Sequence, residues 1–297
     1  MRNWDDLRIF LAVARQESVS SAGRILRLDP ATVSRRMRRL EEAVRHPLFA
    51  KSPQGYVLTQ QGQELLPHAE EMETALAGAQ DALGGSSDQL SGQIRIGAPD
   101  GCANYLLPHA VAEISRENTN LDIQIIALPR VFNLSKREAD MAIAVSRPQT
   151  GRLSVQKISD YKLHLAAHRE YLHQAPVLNC LSDLKMHRVV GYVPDMIFDK
   201  ELDYMSGAGV DRIFAASNSV SVQFNMLRQA VGVGIVHDFA LPADREIVRV
   251  LPDEFSLTRA FHLIRHADDR RVARLNTFAE ILVESLRRNI SRLESLT

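Results

Sequence analysis

The chain has 297 residues, 45% hydrophobic and 24% charged, with 36 basic and 36 acidic side chains. That is length enough for two or three domains with buried cores, and it excludes a disordered, collagenous or disulfide-stapled protein. Zero net charge speaks against a nucleic-acid binder, but residues 1–60 hold eleven Lys and Arg against six Asp and Glu, so a basic head precedes an acidic body.

Two cysteines, Cys102 and Cys180, stand far apart and in no metal-ligand spacing, so neither a metal nor a disulfide framework is expected. No secretory signal pattern opens the chain and no apolar run approaches ~18 residues, so a cytoplasmic protein without membrane partners is expected.

Trp4–Arg15 reads as a first helix with Leu7, Phe10, Leu11 and Ala14 on one face. A break at Gln16–Val19 precedes a short helix, Ser21–Leu26, for which Ser20 is the expected cap and Ala22, Gly23, Ile25 and Leu26 the inner positions. The third helix, Pro30–Val44, carries Val33, Met37, Leu40 and Val44 at i, i+4, i+7 and i+11. Asp29 is its N-cap and Pro30 suits the first helical position. The opposite face presents Ala31, Thr32, Arg35 and Arg39, flanked by Ser34, Arg36 and Arg38. Two short helices joined by a tight turn, the second basic outside, form the helix-turn-helix pattern, and such a face suits a DNA major groove. A solvated amphipathic helix is the alternative. Leu48-Phe49 and Tyr56-Val57-Leu58 then read as a hairpin around Ser52-Pro53-Gln54-Gly55, a wing whose Lys51 and Gln54 are placed for phosphates or the minor groove.

The order and spacing of Phe10-Leu11-Ala12-Val13-Ala14, Ser18-Val19-Ser20, Val33-Ser34-Arg35, Leu40-Glu41, Leu48-Phe49 and Gly55-Tyr56-Val57-Leu58-Thr59 resemble the N-terminal domain of LysR-type transcriptional regulators. Two departures stand out. Asp29-Pro30 replaces the family's usual Ser-Gln, which removes a side-chain base contact and implies a shifted operator preference. Arg45 replaces the usual Gly at a position expected to be left-handed, at a cost of roughly 1 kcal/mol. On this basis the DNA-contacting residues are expected among Ser20, Ser21, Pro30, Ala31, Thr32, Ser34, Arg35, Arg36, Arg38, Arg39, Lys51 and Gln54.

Thr59 caps the next segment, where Leu65, Ala69, Met72, Leu76, Ala79 and Leu83 recur with 4,3 spacing. One helix cannot bury that seam on itself, so it reads as an antiparallel dimer coiled coil, as in the family's linker helix, or else as a helix packed on its own chain. Pro67 should bend it near its start. Gly84-Gly85-Ser86-Ser87-Asp88 is a hinge.

Beyond the hinge, strands (Gln93–Ala98, Leu121–Leu128, Met141–Val145, Leu163–Ala167, Arg188–Tyr192, Val233–Val236, Phe261–Arg265) alternate with helices (Asn104–Glu117, Val220–Val231, Arg271–Leu293). This pattern implies a parallel-rich α/β sheet. The expected fold is thus α/β overall. It comprises an all-α winged helix-turn-helix (1–58), a linker helix (59–84), a hinge (85–92) and a two-lobed α/β effector domain (93–297). By the resemblance, that domain is similar to type 2 periplasmic binding proteins, with lobe one at 93–161 and 267–297 and lobe two at 162–266.

Ligands of open α/β sheets bind beyond strand carboxyl ends, often at helix N-termini. Pro99-Asp100-Gly101-Cys102 is one such place, although Asp100 would repel an anion and the family commonly has a Ser or Thr near Cys102. Arg130, Arg147, Tyr192, Ser219, Gln223 and His237 are the other effector-site candidates, Arg130 and Ser219 by their match to family positions. No Walker A loop, G-x-S-x-G, H-E-x-x-H or strand-following G-x-G-x-x-G is present, so an enzyme is not expected and no cofactor is implied. Cys102 and His109, i and i+7 on one helix, would sit about 10 Å apart, too far for proton transfer. The resemblance implies a homodimer or dimer-of-dimers tetramer on a partly palindromic operator, a small-molecule effector and contact with RNA polymerase. A small-molecule-binding protein with a basic protein-interaction head is the other reading.

Overall fold

The computed structural model describes residues 4–52, 55–83, 89–127, 139–148, 152–197, 199–210, 212–267, 269 and 272–297. Gln54, Arg130 and the Gly84–Asp88 hinge lie outside them, as does the Leu83 side chain. Two compact units emerge, one built mainly on Met1–Asp88 and the other on Gln89–Phe132, Ala139–His266 and Thr277–Thr297.

In the first unit, α1 (Trp4–Gln16), α2 (Val19–Leu26) and α3 (Pro30–Val44) pack around Leu7, Phe10, Leu11, Val13, Ala22, Val33, Met37 and Leu40. Burying each large side chain of this group contributes about 1.5–3 kcal/mol. The α3 stripe is as expected, with Val44 half-buried at its end. Helix α2 starts two residues early, because Ser18 rather than Ser20 accepts the Ser21 N–H. Ile25, expected inside, lies on the outer face, 62% exposed. Asp29 caps α3 twice over, accepting the Thr32 N–H (2.8 Å) and the Thr32 hydroxyl (2.6 Å). These bonds hold its carboxyl below the usual range. Arg45 adopts the left-handed conformation expected of it, at φ 63°.

The wing strands β1 (Phe49–Ser52) and β2 (Gly55–Leu58) pair antiparallel. Phe49 packs between the rings of Phe10 and Tyr56, and the Tyr56 N–H donates to the Glu17 carbonyl, which pins the wing to the end of α1. Glu41 on α3 accepts the N–H groups of Leu48 and Phe49, so the chain leaving α3 is held at a side chain of α3 itself.

Thr59 starts α4 (Gln60–Leu83) by accepting the Gly62 N–H. The helix is continuous through Pro67. Its expected seam divides. Ala69 is fully buried and Leu65 packs on the winged-helix core, whereas Met72 and Leu76 are each 43% exposed. The near half therefore packs on its own chain, and only the far half is left uncovered.

In the second unit, β3 (Ser91–Ala98), β4 (Asn120–Ala127), β5 (Met141–Ala144), β6 (Leu153–His168), β7 (Val189–Gly191), β8 (Ala215–Ala216), β9 (Val233–His237), β10 (Ile247–Arg249) and β11 (Ser256–His266) form one mixed sheet among the described residues. Its order is β4-β3-β5-β11-β6-β9-β7-β8, with β10 on β6. β3 begins inside the span expected as hinge. β6 and β11 are far longer than the strands read at Leu163–Ala167 and Phe261–Arg265: they pair antiparallel from Ser256↔His164 to His266↔Leu153 and join the parallel β4-β3-β5 side to the β9-β7-β8 side. The single helix expected at Asn104–Glu117 is two, α5 (Asp100–Tyr105) and α6 (Leu107–Glu117), meeting at Leu106. Pro108 has no N–H to continue the ladder. The remaining helices are α7 (Arg169–Gln174), α8 (Val220–Arg228) and α9 (Ala273–Glu294).

Candidate nucleic-acid interface and ligand cleft

The outer face of α3 sorts its polar residues into two groups. Arg36 pairs with Asp5 and Arg39 with Asp6, both acids on α1. The Arg39–Asp6 contact uses two guanidinium nitrogens, and Asp6 is 5% exposed. Bonding to Asp6 raises the Arg39 pKa further. These two arginines fasten α3 to α1. Pro30, Ala31, Ser34, Arg35 and Arg38 are exposed, and neither Arg35, Arg38 nor Lys51 on the wing has an ion pair among the described residues. Thr32 is half-buried with its hydroxyl spent on Asp29. Ser20 is exposed, and Ser21 accepts a bond from Arg24. The face open to a partner is thus narrower than the basic stretch of the sequence.

In the second unit, five of the sequence candidates, Asp100, Gly101, Cys102, Tyr192 and His237, line one small chamber between α5 and α8. The strand-to-helix turn at Pro99 brings the first three there, and the carboxyl ends of β7 and β9 bring the others. Asp100 crosses the cleft. One of its oxygens accepts both the Ser219 hydroxyl (2.9 Å) and the Ser221 backbone N–H (2.8 Å). Ser219 in turn is the N-cap of α8 and accepts the Val222 N–H. The α8 N-terminus, where an external anion would be favoured, already holds a carboxylate of the chain itself.

Only about 20 Å³ of free space remains in the chamber, room for about one water molecule. Apart from the Asp100 carboxylate its walls are neutral at pH 7: burial pushes His237 down to about 4 and pushes the Tyr192 and Tyr204 phenols well up. Burial likewise raises the fully buried Cys102 thiol, leaving it unreactive. A Cβ added at Gly101 would stand 3.0 Å from the His237 ring, so α5 and β9 approach as closely as a glycine permits.

Arg147 is not part of this chamber. It is exposed and donates to His262 at 3.4 Å. Gln223 is buried, with its amide donating to the Ser217 carbonyl, and lines a separate cavity beyond the carboxyl end of β7. Sequence reasoning missed Val145, Leu202, Tyr204, Asn218, Val220 and Phe261, which also line the chamber. Leu202 ends a short helical turn and Tyr204 lies in irregular chain just beyond it, between β7 and β8, where there is no periodic signal. The Tyr161 ring stacks on Phe261 at 4.1 Å, and its neighbour Phe239 belongs to the same aromatic group. Asp238, next to His237, is wholly buried and holds His164 (2.8 Å) and Arg249 (2.7 Å), a structural role.

Comparison with known proteins agrees with this anatomy. Residues 4–63 match the bacterial regulatory helix-turn-helix family of LysR type, and residues 87–287 match the LysR substrate-binding domain. The transcriptional regulator DgdR of Burkholderia cepacia is 30% identical over 255 residues, covering 82% of this chain and 81% of that protein. PtxR of Pseudomonas aeruginosa is 23% identical, covering 98% and 95%. A full-length OxyR variant of Pseudomonas aeruginosa superposes with a TM-score of 0.71 at 17% identity, covering 97% and 95%. The chain therefore belongs to the LysR family of transcriptional regulators, with a helix-turn-helix DNA-binding domain and an effector-binding domain.

Proposed function

We propose that α3 reads operator DNA through Ser34 and Arg35, with Thr32 at its tip, while Arg38, Lys51, Ser20 and Ser21 hold phosphates. The carrying observation is that Arg35 and Arg38 stand exposed on α3 without internal ion pairs among the described residues, while Arg36 and Arg39 are committed to α1. Exposed guanidinium groups on a groove-sized helix are suited to base edges and phosphates. Pro30 and Ala31 leave little side-chain reach at the helix tip. Gln54 and Arg130 remain candidates by their place in the sequence.

The uncovered Met72 and Leu76 on α4 suit a dimer contact with a second copy, which would place two heads on a partly palindromic site. A small molecule acting at the cleft would shift the chain between lobe arrangements with and without the Asp100–α8 contact, provided that its affinity differs between them. Contact with RNA polymerase and a cytoplasmic location complete the reading.

Salt titration of the full-length protein on DNA from its own promoter tests it. A specific complex whose affinity falls steeply with salt, about 0.9 log units per log unit of salt for each phosphate contacted, is expected. Absent or salt-insensitive binding by the folded protein contradicts the reading.

A further inference from the structure

The chamber between α5 and α8 carries one charge, and it is negative. Among the described residues that line it, Asp100 is the only carboxylate and there is no lysine or arginine. Desolvation keeps His237 neutral, and the Asp100 field works against that desolvation, so the carboxylate is felt at the opposite wall. Tyr192, Tyr204 and Phe261 supply three aromatic rings. Tyr192 and Tyr204 meet edge to face at 5.8 Å, and Phe261 is backed by Tyr161 at 4.1 Å. Ring faces of this kind attract cations and repel anions.

The chain that brings Tyr192 and Tyr204 to the chamber adds to the same field. Between the two tyrosines it carries Asp195, Asp199, Glu201 and Asp203 against Lys200. Arg259 pairs with Glu201 at 2.7 Å and offsets one of the four. Charge of one sign around a cleft concentrates the opposite ion there.

The closed chamber has about 20 Å³ free, so a ligand enters only as α5 and α8 separate and Asp100 leaves Ser219 and Ser221. An anion admitted there would exchange one carboxylate for another at the α8 N-terminus and leave Asp100 beside it without a partner. A cation instead takes Asp100 as its partner, in a charge-assisted hydrogen bond.

We propose that the cleft takes a small organic cation, with an ammonium group on Asp100 and an apolar body against Tyr192, Tyr204 and Phe261. This rests on the reading that the effector domain senses a small molecule at the cleft, and it fixes the sign of that molecule's charge. A primary amine and a zwitterionic amino acid share the chemistry. The amino acid adds a carboxylate for the α8 end that Asp100 vacates.

Calorimetry of the full-length protein with benzylamine, benzyl alcohol, benzoate and phenylglycine tests it, because the four share one ring and differ in charge. Benzylamine is expected to bind saturably and roughly tenfold or more tighter than benzyl alcohol, with benzoate the weakest. Phenylglycine tighter than benzylamine identifies the zwitterion as the form preferred, and the reverse order the simple amine. Asp100→Asn should erase the preference for benzylamine over benzyl alcohol, and Asp100→Glu should keep it. The ratio is the readout, since a loosened cleft helps every ligand alike. Asn218→Trp, at a half-buried lining position, should block all four probes. Benzoate binding tighter than benzylamine and lost in Asn218→Trp would put an anion in the cleft, overturning the proposal and sparing the sensing reading. A preference that ignores Asp100→Asn, or no saturable binding of benzylamine and phenylglycine to the wild type, overturns it outright. The promoter titration, which uses no ligand, decides the regulator reading separately.

Discussion

Gly62→Ala is expected to unfold or loosen the winged-helix unit by about 2–3 kcal/mol, although alanine is the better helix former. A Cβ at this position would lie 2.2 Å from the Leu48 carbonyl oxygen, 3.2 Å from its carbon and 2.9 Å from Leu58 Cδ2. Two of those three atoms are backbone, and the carbonyl oxygen is fixed as acceptor of the Thr59 N–H. Neither side can give way cheaply. The first turn of α4 would have to lift off the strand entry, taking with it the Thr59 contacts to Pro47 and Gly62. The helix-propensity gain of about 1 kcal/mol works against this loss without cancelling it. Thermal and urea unfolding of the variant should show a lower midpoint for this unit, and promoter affinity should fall with it. An unchanged or raised midpoint would mean that α4 is not seated this closely on the wing.

Asp100→Ala should lower the melting temperature of the effector domain by roughly 5–10 °C, from a loss of about 2–3 kcal/mol in a domain of this size. The carboxylate accepts two hydrogen bonds across the cleft, and one of them satisfies a backbone N–H at the α8 N-terminus, where the helix dipole adds to the attraction. Alanine leaves that N–H without its acceptor. Ser219 still caps Val222, so α8 itself persists and the loss falls on the contact between α5 and α8. Asp100→Asn keeps an amide oxygen in place and should recover part of the loss, whereas Ser219→Ala should cost less than Asp100→Ala because the Ser221 N–H keeps its partner. Calorimetry of the three variants checks the order. An Asp100→Ala protein melting with the wild type would show that the carboxylate does not hold the cleft.

Much of the DNA-binding head could be read from the sequence because its signals are local. The Asp29 cap, the Pro30 start, the 3.6-residue stripe ending at Leu40 and the left-handed Arg45 are each written within one helix. What failed there was also local: Ser18 rather than Ser20 is the cap, and Ile25 lies on the surface rather than on the inner face of α2. Ion pairs between helices were not legible. Asp6 lies 33 residues from Arg39, and nothing in the spacing says which arginines of α3 turn back towards α1.

The effector domain was less legible for a different reason. The first half of β6 is largely exposed and polar, so the hydrophobic run that identifies a strand begins only near Leu163. Asp100 and Cys102 were found from the rule that ligands lie beyond strand ends, His237 from its place after the glycine-rich stretch Gly232-Val233-Gly234, and Tyr192 from its place near the hinge expected in lobe two. Asp100 was weighed only as a repellent charge, and its role as the anion at α8 depends on Ser219 and Ser221, about 120 residues downstream. The larger cavity that Gln223 lines depends on chain between β7 and β8 that has neither helical nor strand period.

The most direct test of α3 as the sequence-reading element compares operator and scrambled-operator affinity for wild type, Arg35→Ala and Lys51→Ala. Loss of a base contact from Arg35 should cut the operator preference by roughly tenfold or more, corresponding to about 1–3 kcal/mol, and leave scrambled DNA little changed. Loss of a phosphate contact from Lys51 should weaken both DNAs alike and reduce the salt slope by about one. Equal losses on both DNAs from both variants would contradict the assignment of Arg35 to bases.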